Sequence, residues 1–139
     1  MILVDTSVWI DFFNGIATPE TDFLDSTLST EPVGIGDLIL VEVLQGFRHD
    51  RDYRQARSLL TALSVFQLLD EQRAVRAADA FRALRRLGST IRKTTDVIIG
   101  TYCIEQRLPL LYSDRDFDPM VEHLGLEAAL VKPAGDEVR

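Results

Sequence analysis

Cysteine is almost absent from this chain of 139 residues: Cys103 stands alone. A single thiol excludes an internal disulfide framework and a cysteine-based zinc site, and it suits a reducing, cytoplasmic compartment. Histidine is nearly as scarce, with only His49 and His123, both in polar contexts that suit surface positions. Long apolar runs are missing too. The longest, Asp37-Leu44 and Val97-Ile104, are short and either broken by Glu42 or flanked by charge, so no transmembrane helix and no membrane partner is expected. The start, Met1-Val4 followed at once by Asp5, has no basic residue and does not read as a signal peptide. Basic residues are absent from the whole first third.

What is present is ordinary in amount and unusual in arrangement. Apolar residues make up 46% and charged residues 27%, the balance of a globular domain, and the length suits one domain over 1–139. The net charge of −7 by itself argues against a polyanionic partner. Its distribution argues otherwise. Residues 1–47 carry eight acids and no Lys or Arg, residues 48–93 carry eleven basic residues against five acids, and residues 94–139 carry four against nine. Binding fields are local, so a cationic middle third matters more than the total.

Hydrophobic patterning predicts alternating strands and helices. Ile2-Leu3-Val4 reads as a buried strand, with Thr6 and Ser7 capping a helix that stops at Asn14-Gly15. Thr18-Pro19-Glu20 opens a second helix. Pro32-Gly36 is a second strand, and Asp37 is expected to cap a helix reaching about Phe47. Asp50-Leu63 and Glu71-Leu87 are Arg-rich amphipathic helices, separated by a third strand over Val65-Phe66 and Leu68-Leu69. Thr94-Thr95 are expected to cap a helix through about Arg107. Pro109-Tyr112 is a fourth strand, Ala129-Leu130-Val131 a candidate fifth, and the tail from Lys132 is expected to fray. Such alternation predicts a parallel sheet covered on both faces, with its functional crevice at the carboxyl ends of the strands.

Acidic residues fall where that crevice should be. Asp5 ends the first strand, Asp114 and Asp116 follow the fourth, Asp96 lies in the first turn of a helix, and Glu42 interrupts an otherwise apolar helix. Each has a purely structural alternative: a cap for Asp5, a favourable dipole position for Asp96, a solvated edge for Glu42, an Asp-rich turn for the rest. Convergence is the stronger reading. Two carboxylates about 5 Å apart repel by roughly 3 kcal/mol at an effective dielectric near 20, so a cluster needs protons or a divalent cation. All-oxygen donors without His or Cys suit Mg²⁺ or Mn²⁺, and such ions suit phosphodiester hydrolysis by an activated water.

Other chemistries lack their motifs. Gly34-Ile35-Gly36 has Ile39 where a dinucleotide fingerprint needs its third glycine. Gly88-Thr94 lacks the glycine before Lys93 that a phosphate loop requires, and no Gly-x-Ser-x-Gly turn occurs. Asp5-Thr6-Ser7 is not the Asp-x-Asp of an aspartyl-phosphate phosphatase. Trp9 and Cys103 read as core residues.

Taken in order, Asp5-Thr6-Ser7-Val8-Trp9-Ile10, Glu42 in a helix opening Gly-Asp-Leu, Thr95-Asp96-Val97-Ile98-Ile99-Gly100 and Leu111-Tyr112-Ser113-Asp114-Arg115-Asp116-Phe117 resemble the PIN-domain ribonucleases, specifically the VapC toxins of toxin-antitoxin pairs. The resemblance runs from Ile2 to about Val131. It implies a three-layer α/β/α domain with a central parallel sheet of four or five strands, and Mg²⁺- or Mn²⁺-dependent endonucleolytic cleavage of RNA, often transfer RNA. It places the catalytic and metal-binding acids on Asp5, Glu42, Asp96 and Asp114, with Asp116, Thr6 and Ser113 as accessory groups. Ser113 stands where threonine is commoner, which keeps the hydroxyl. Gly100 would let the backbone pack closely beside the pocket. A homodimer and a VapB-like antitoxin that fills the pocket with a basic side chain are also implied. For the RNA phosphates, Arg85, Arg86, Arg92 and Lys93 of the basic third are the expected contacts. A metal-dependent phosphoesterase on another substrate, and a non-catalytic RNA-binding module of the same fold, remain as alternatives.

Overall fold

A computed structural model of the chain describes residues 1–131. The expected fraying from Lys132 lies outside those residues. Four parallel strands form one sheet: β1 (Ile2–Val4), β2 (Val33–Gly36), β3 (Ser64–Phe66) and β4 (Leu110–Leu111), in the order β3-β2-β1-β4. β1 has neighbours on both sides and helices over both faces, which is why Ile2, Leu3 and Val4 are all buried. β3 is an edge, and Ser64 and Val65 are exposed there.

Among the described residues seven α-helices surround the sheet. α1 (Thr6–Phe13) and α2 (Pro19–Leu28) connect β1 to β2, and α3 (Asp37–Leu44) and α4 (Asp50–Thr61) connect β2 to β3. The return from β3 across to β4 runs through α5 (Glu71–Arg86) and α6 (Thr94–Gln106), and α7 (Asp118–Leu124) comes after β4. Strand order therefore reverses at β1, and the switch point of the sheet lies between β1 and β4. α5 and α6 pack together, joined by the Arg76–Glu105 ion pair and by the Arg73 guanidinium 5.0 Å from the Tyr102 ring centre. Trp9 is fully buried against Phe12 and Phe13, and Cys103 is buried as well, its thiol pushed up to about 12 by burial. No described helix is long and apolar enough to cross a membrane.

Several expected boundaries move. Asp5, not Thr6 or Ser7, is the N-cap of α1, because its carboxylate reaches the Ser7 amide two residues on. Gly36 precedes α3 without a side-chain cap, so Asp37 is that helix's first residue, and α3 stops at Leu44 rather than Phe47. Lys93 takes the cap position of α6, and Thr94 and Thr95 lie inside the helix. β3 ends before Leu68, which turns into the core. The candidate fifth strand is a single parallel bridge from Leu110 to Ala128: the Leu110 amide donates to the Glu127 carbonyl and the Ala129 amide to the Leu110 carbonyl, each at 2.9 Å. One bridge closes the β4 edge without forming a strand.

Gly34 and Gly36 owe their presence to packing. A Cβ on Gly36 would collide with the Leu68 side chain, and one on Gly34 with the Phe66 ring. β2 is bare at these positions so that chain from β3 onward can lie against it.

Candidate metal centre

Backbone geometry at the switch point sets the acids side by side. The Asp5 amide still donates to the Leu111 carbonyl at 2.9 Å, so the exit of β1 is tied to the exit of β4. Three residues beyond β4's end, Asp114 caps a short 3-10 turn over Arg115–Phe117, its Oδ1 accepting from the Asp116 amide at 3.0 Å. The turn folds because Phe117 is drawn into the core, fully buried beside Tyr112. From the other side α6 delivers Asp96 in its first turn, where the helix dipole favours a carboxylate. Behind it, Gly100 makes room for Met120 of α7, whose sulfur and methyl a Cβ would meet. The close approach expected at Gly100 is therefore to α7.

One carboxylate oxygen from each of Asp96, Asp114 and Asp116 lies within 4.8 Å of the others. Asp96 is 5% exposed, and its Oδ2 is buried with no hydrogen-bond partner among the described residues. Its carboxyl is pushed up to about 7, first by burial, then by the charges of Asp5, Asp114 and Asp116, with Lys93 opposing them. Asp5, 3% exposed, is also raised, by burial above all and by Glu42; hydrogen bonds from Ser7 and the Thr6 amide pull the other way. The five acids thus form one electrostatic chain, Glu42–Asp5–Asp96–Asp114/Asp116, although Asp5 and Glu42 stand outside the tight three-residue group.

Hydroxyls order this chain. Thr6 Oγ1 donates to Glu42 Oε1 at 2.7 Å, bringing the α3 carboxylate to the start of α1. Ser7 Oγ donates to Asp5 Oδ2 at 2.7 Å and lies 3.4 Å from Ser113 Oγ across the switch point. Thr6 therefore serves the second acid, while the first is held by Ser7, a residue that sequence reading passed over. Its signal was there: a serine two residues after a strand-ending aspartate is placed to bond that carboxylate.

The basic residues divide. Lys93 sits within the field of Asp96, and the Asp96 amide donates to the Lys93 carbonyl at 3.1 Å. Arg86 and Arg92 are exposed, and Arg85 lies over the Phe81 ring at 5.6 Å. Among the described residues no ion pair joins Arg85, Arg86 or Arg92 to the acids.

An orphaned, buried carboxylate oxygen among other carboxylates fits a hard divalent cation. The donors are all oxygen, and the sulfur of Cys103 is held neutral in the core, which favours Mg²⁺ or Mn²⁺ over zinc.

Fold and site together define a doubly wound α/β domain with an acidic centre at its topological switch point. The PIN-domain family model matches residues 2–121. Over 131 residues the chain is 30% identical to the VapC ribonuclease Mb1587 of Mycobacterium bovis and to ribonuclease VapC11 of Mycobacterium tuberculosis, covering 93% of this chain and 98% of each relative. Its fold is similar to VapBC2 of Rickettsia felis, solved with a DNA fragment from the promoter (TM-score 0.74, 14% identity, 95% of this chain and 100% of that one). A toxin-antitoxin complex from Klebsiella pneumoniae is similar at TM-score 0.66 and 21% identity, over 84% and 90% of the two chains. The chain belongs to the PIN-domain family and is of the VapC type.

Proposed function

We propose that this protein is the ribonuclease toxin of a toxin-antitoxin pair and cleaves phosphodiester bonds of RNA, transfer RNA among them, at the acidic centre. The observation that carries this reading is Asp96: a buried carboxylate with one oxygen unpartnered among the described residues, and with a carboxylate oxygen within 4.8 Å of one from each of Asp114 and Asp116. The ribonuclease names of the 30%-identical relatives support the activity. The assemblies in which similar folds were solved support an antitoxin partner.

In this reading Asp5, Glu42, Asp96 and Asp114 hold Mg²⁺ or Mn²⁺, with Asp116 as an accessory group. The ion supplies charge for the phosphate and a water of lowered pKa. The chain's own residues do the ordering. Ser7 fixes Asp5 through Oδ2, Thr6 fixes Glu42 through Oε1, and Ser113 steadies Ser7 from the loop that follows β4. Lys93, beside Asp96, offers a cation to the substrate's phosphate, and Arg85, Arg86 and Arg92 extend that charge along the α5–α6 corner. The same acidic centre would receive a basic side chain of the antitoxin, and the toxin would act as a homodimer.

The test is incubation of the purified protein with total bacterial transfer RNA and Mg²⁺ or Mn²⁺, beside an EDTA control and the Asp96→Asn variant. Discrete fragments on a denaturing gel that vanish in both controls are expected. Fragments that persist in EDTA would remove the metal from the reading, and fragments that persist in Asp96→Asn would remove that residue.

A further inference from the structure

The two arginine-rich helices look alike in sequence and differ in what their guanidinium groups do. On α5 several are engaged by the chain itself. Arg73 bonds the Gln67 carbonyl, pairs with Asp70 and lies over Tyr102; Arg76 pairs with Glu105; Arg85 lies over Phe81. On α4 and the turn before it, Arg48, Arg51, Arg54 and Arg57 recur every third residue, and all four are exposed. None of them enters an ion pair among the described residues. The buried face of α4 is Ala56 and Leu60, so the arginines occupy the outer side. Arg51, Arg54, Gln55, Ser58 and Leu59 line one open, shallow surface there, which puts two cations and two neutral hydrogen-bonding side chains beside one apolar one.

Unpaired guanidinium groups in a chain of net charge −7 are conspicuous, because acids for surface pairing are plentiful. The three exposed arginines of α4 outnumber its two acids, Asp50 and Asp52, and cations recurring along one helix complement a polyanion of regularly spaced charge. From Arg51 to Arg57 the helix rises about 9 Å, a length that meets more than one backbone phosphate. α4 packs on α3, the helix that carries Glu42 to Thr6, so this surface belongs to the same helical pair as one wall of the acidic centre.

We propose that the outer face of α4, through Arg51, Arg54 and Arg57, is a phosphate-backbone docking surface for the RNA that the acidic centre acts on. The proposal rests on the ribonuclease reading, and it assigns the main share of backbone contact to α4 in place of the partly engaged arginines of α5. The contacts are to phosphate, so they add affinity and position without sequence preference.

The experiment compares the wild type with the triple variant Arg51→Gln/Arg54→Gln/Arg57→Gln, using fluorescence anisotropy of a fluorescein-labelled oligouridine in EDTA across a sodium chloride series. Each lost phosphate contact lowers the logarithmic salt slope by about 0.7 on a single strand, so a fall of about 2 is expected. The corresponding triple lysine variant, which keeps the charge, should retain most of the slope. An unchanged slope in the glutamine variant overturns the proposal. So does an unchanged slope accompanied by lost binding of a polyglutamate peptide, which would give the surface to an acidic protein partner. Mn²⁺ binding measured on the same variant should match the wild type; a loss there would mean the changes act through the acidic centre and would also overturn it. The transfer RNA cleavage assay on the wild type stands apart: its failure, with the slope still falling in the variant, would sink the ribonuclease reading and leave α4 as a nucleic-acid surface.

Discussion

Ser7 shows how much of this centre depends on groups that carry no charge. Asp5 is buried beside other acids, and a buried carboxylate gains from every donor that fixes it. The Ser7 hydroxyl donates to Oδ2 at 2.7 Å and so decides which way the carboxylate faces. Ordering groups of this kind are typically worth 10- to 100-fold in metal affinity. Ser7→Ala is therefore expected to weaken Mn²⁺ binding by about tenfold or more in titration calorimetry, and Ser7→Thr to restore it. A purely structural role would leave the affinity of a folded Ser7→Ala protein untouched, and that result would remove Ser7 from the centre. The hydrogen bond that the Ser7 amide donates to Asp5 Oδ2 survives either change, so α1 keeps its cap.

At the scale of elements, one side chain joins two of them. Asp37 Oδ1 accepts from its neighbour Leu38 at 2.8 Å and from the Leu68 amide at 3.1 Å, so the start of α3 is stapled to the chain leaving β3. Asp37→Ala would leave the Leu68 N–H without its partner beside a fully buried side chain. An unmade buried bond costs about 1–3 kcal/mol, and urea unfolding should show a loss in that range with no change in cleavage of the folded protein. A variant as stable as the wild type would mean that water replaces the carboxylate.

Asp37 also marks where the sequence could and could not be read. As a strand-to-helix residue it looked like a cap, since caps are judged from residue type, whereas its actual bonds depend on Leu68, thirty-one positions away. The strands and most helices were legible because period and punctuation are local: Ile2–Val4 is an unbroken apolar run, and Thr18-Pro19 announces α2. α7 was not, because Asp118–Leu124 is a short helix with acids in a stretch that reads as a loop, and it is held by Met120 packing under Gly100. The meeting of Asp96 with Asp114 and Asp116 could be anticipated, since parallel topology sends strand ends to one edge. That Thr6 would bond Glu42 while Ser7 took Asp5 required the rotation of α1, which no spacing rule supplies.

Over the whole molecule, the charge pattern becomes a stability balance. The acidic centre concentrates repulsion that folding must bear, and Asp96 reports it. Its carboxyl titrates near 7 in the folded chain against about 3.9 when unfolded, so between those values the folded state holds a proton that the unfolded state has released. Stability from this group is therefore full below about pH 4 and is lost as pH rises through about 7; Asp5, raised in the same direction, adds to the effect. Comparison with Asp96→Asn isolates the contribution of this one group. In EDTA the variant should gain on the wild type by on the order of 2 kcal/mol between about pH 4 and about pH 8, measured by urea unfolding. Excess Mn²⁺ should reverse the order at the upper pH, because a cation that binds only the folded state stabilises the wild type by mass action and finds fewer charges in the variant. A difference between the two proteins that stays flat with pH in EDTA would show that Asp96 meets water in solution. A wild type that Mn²⁺ does not stabilise above neutral pH would show that its acids close on one another without holding an ion.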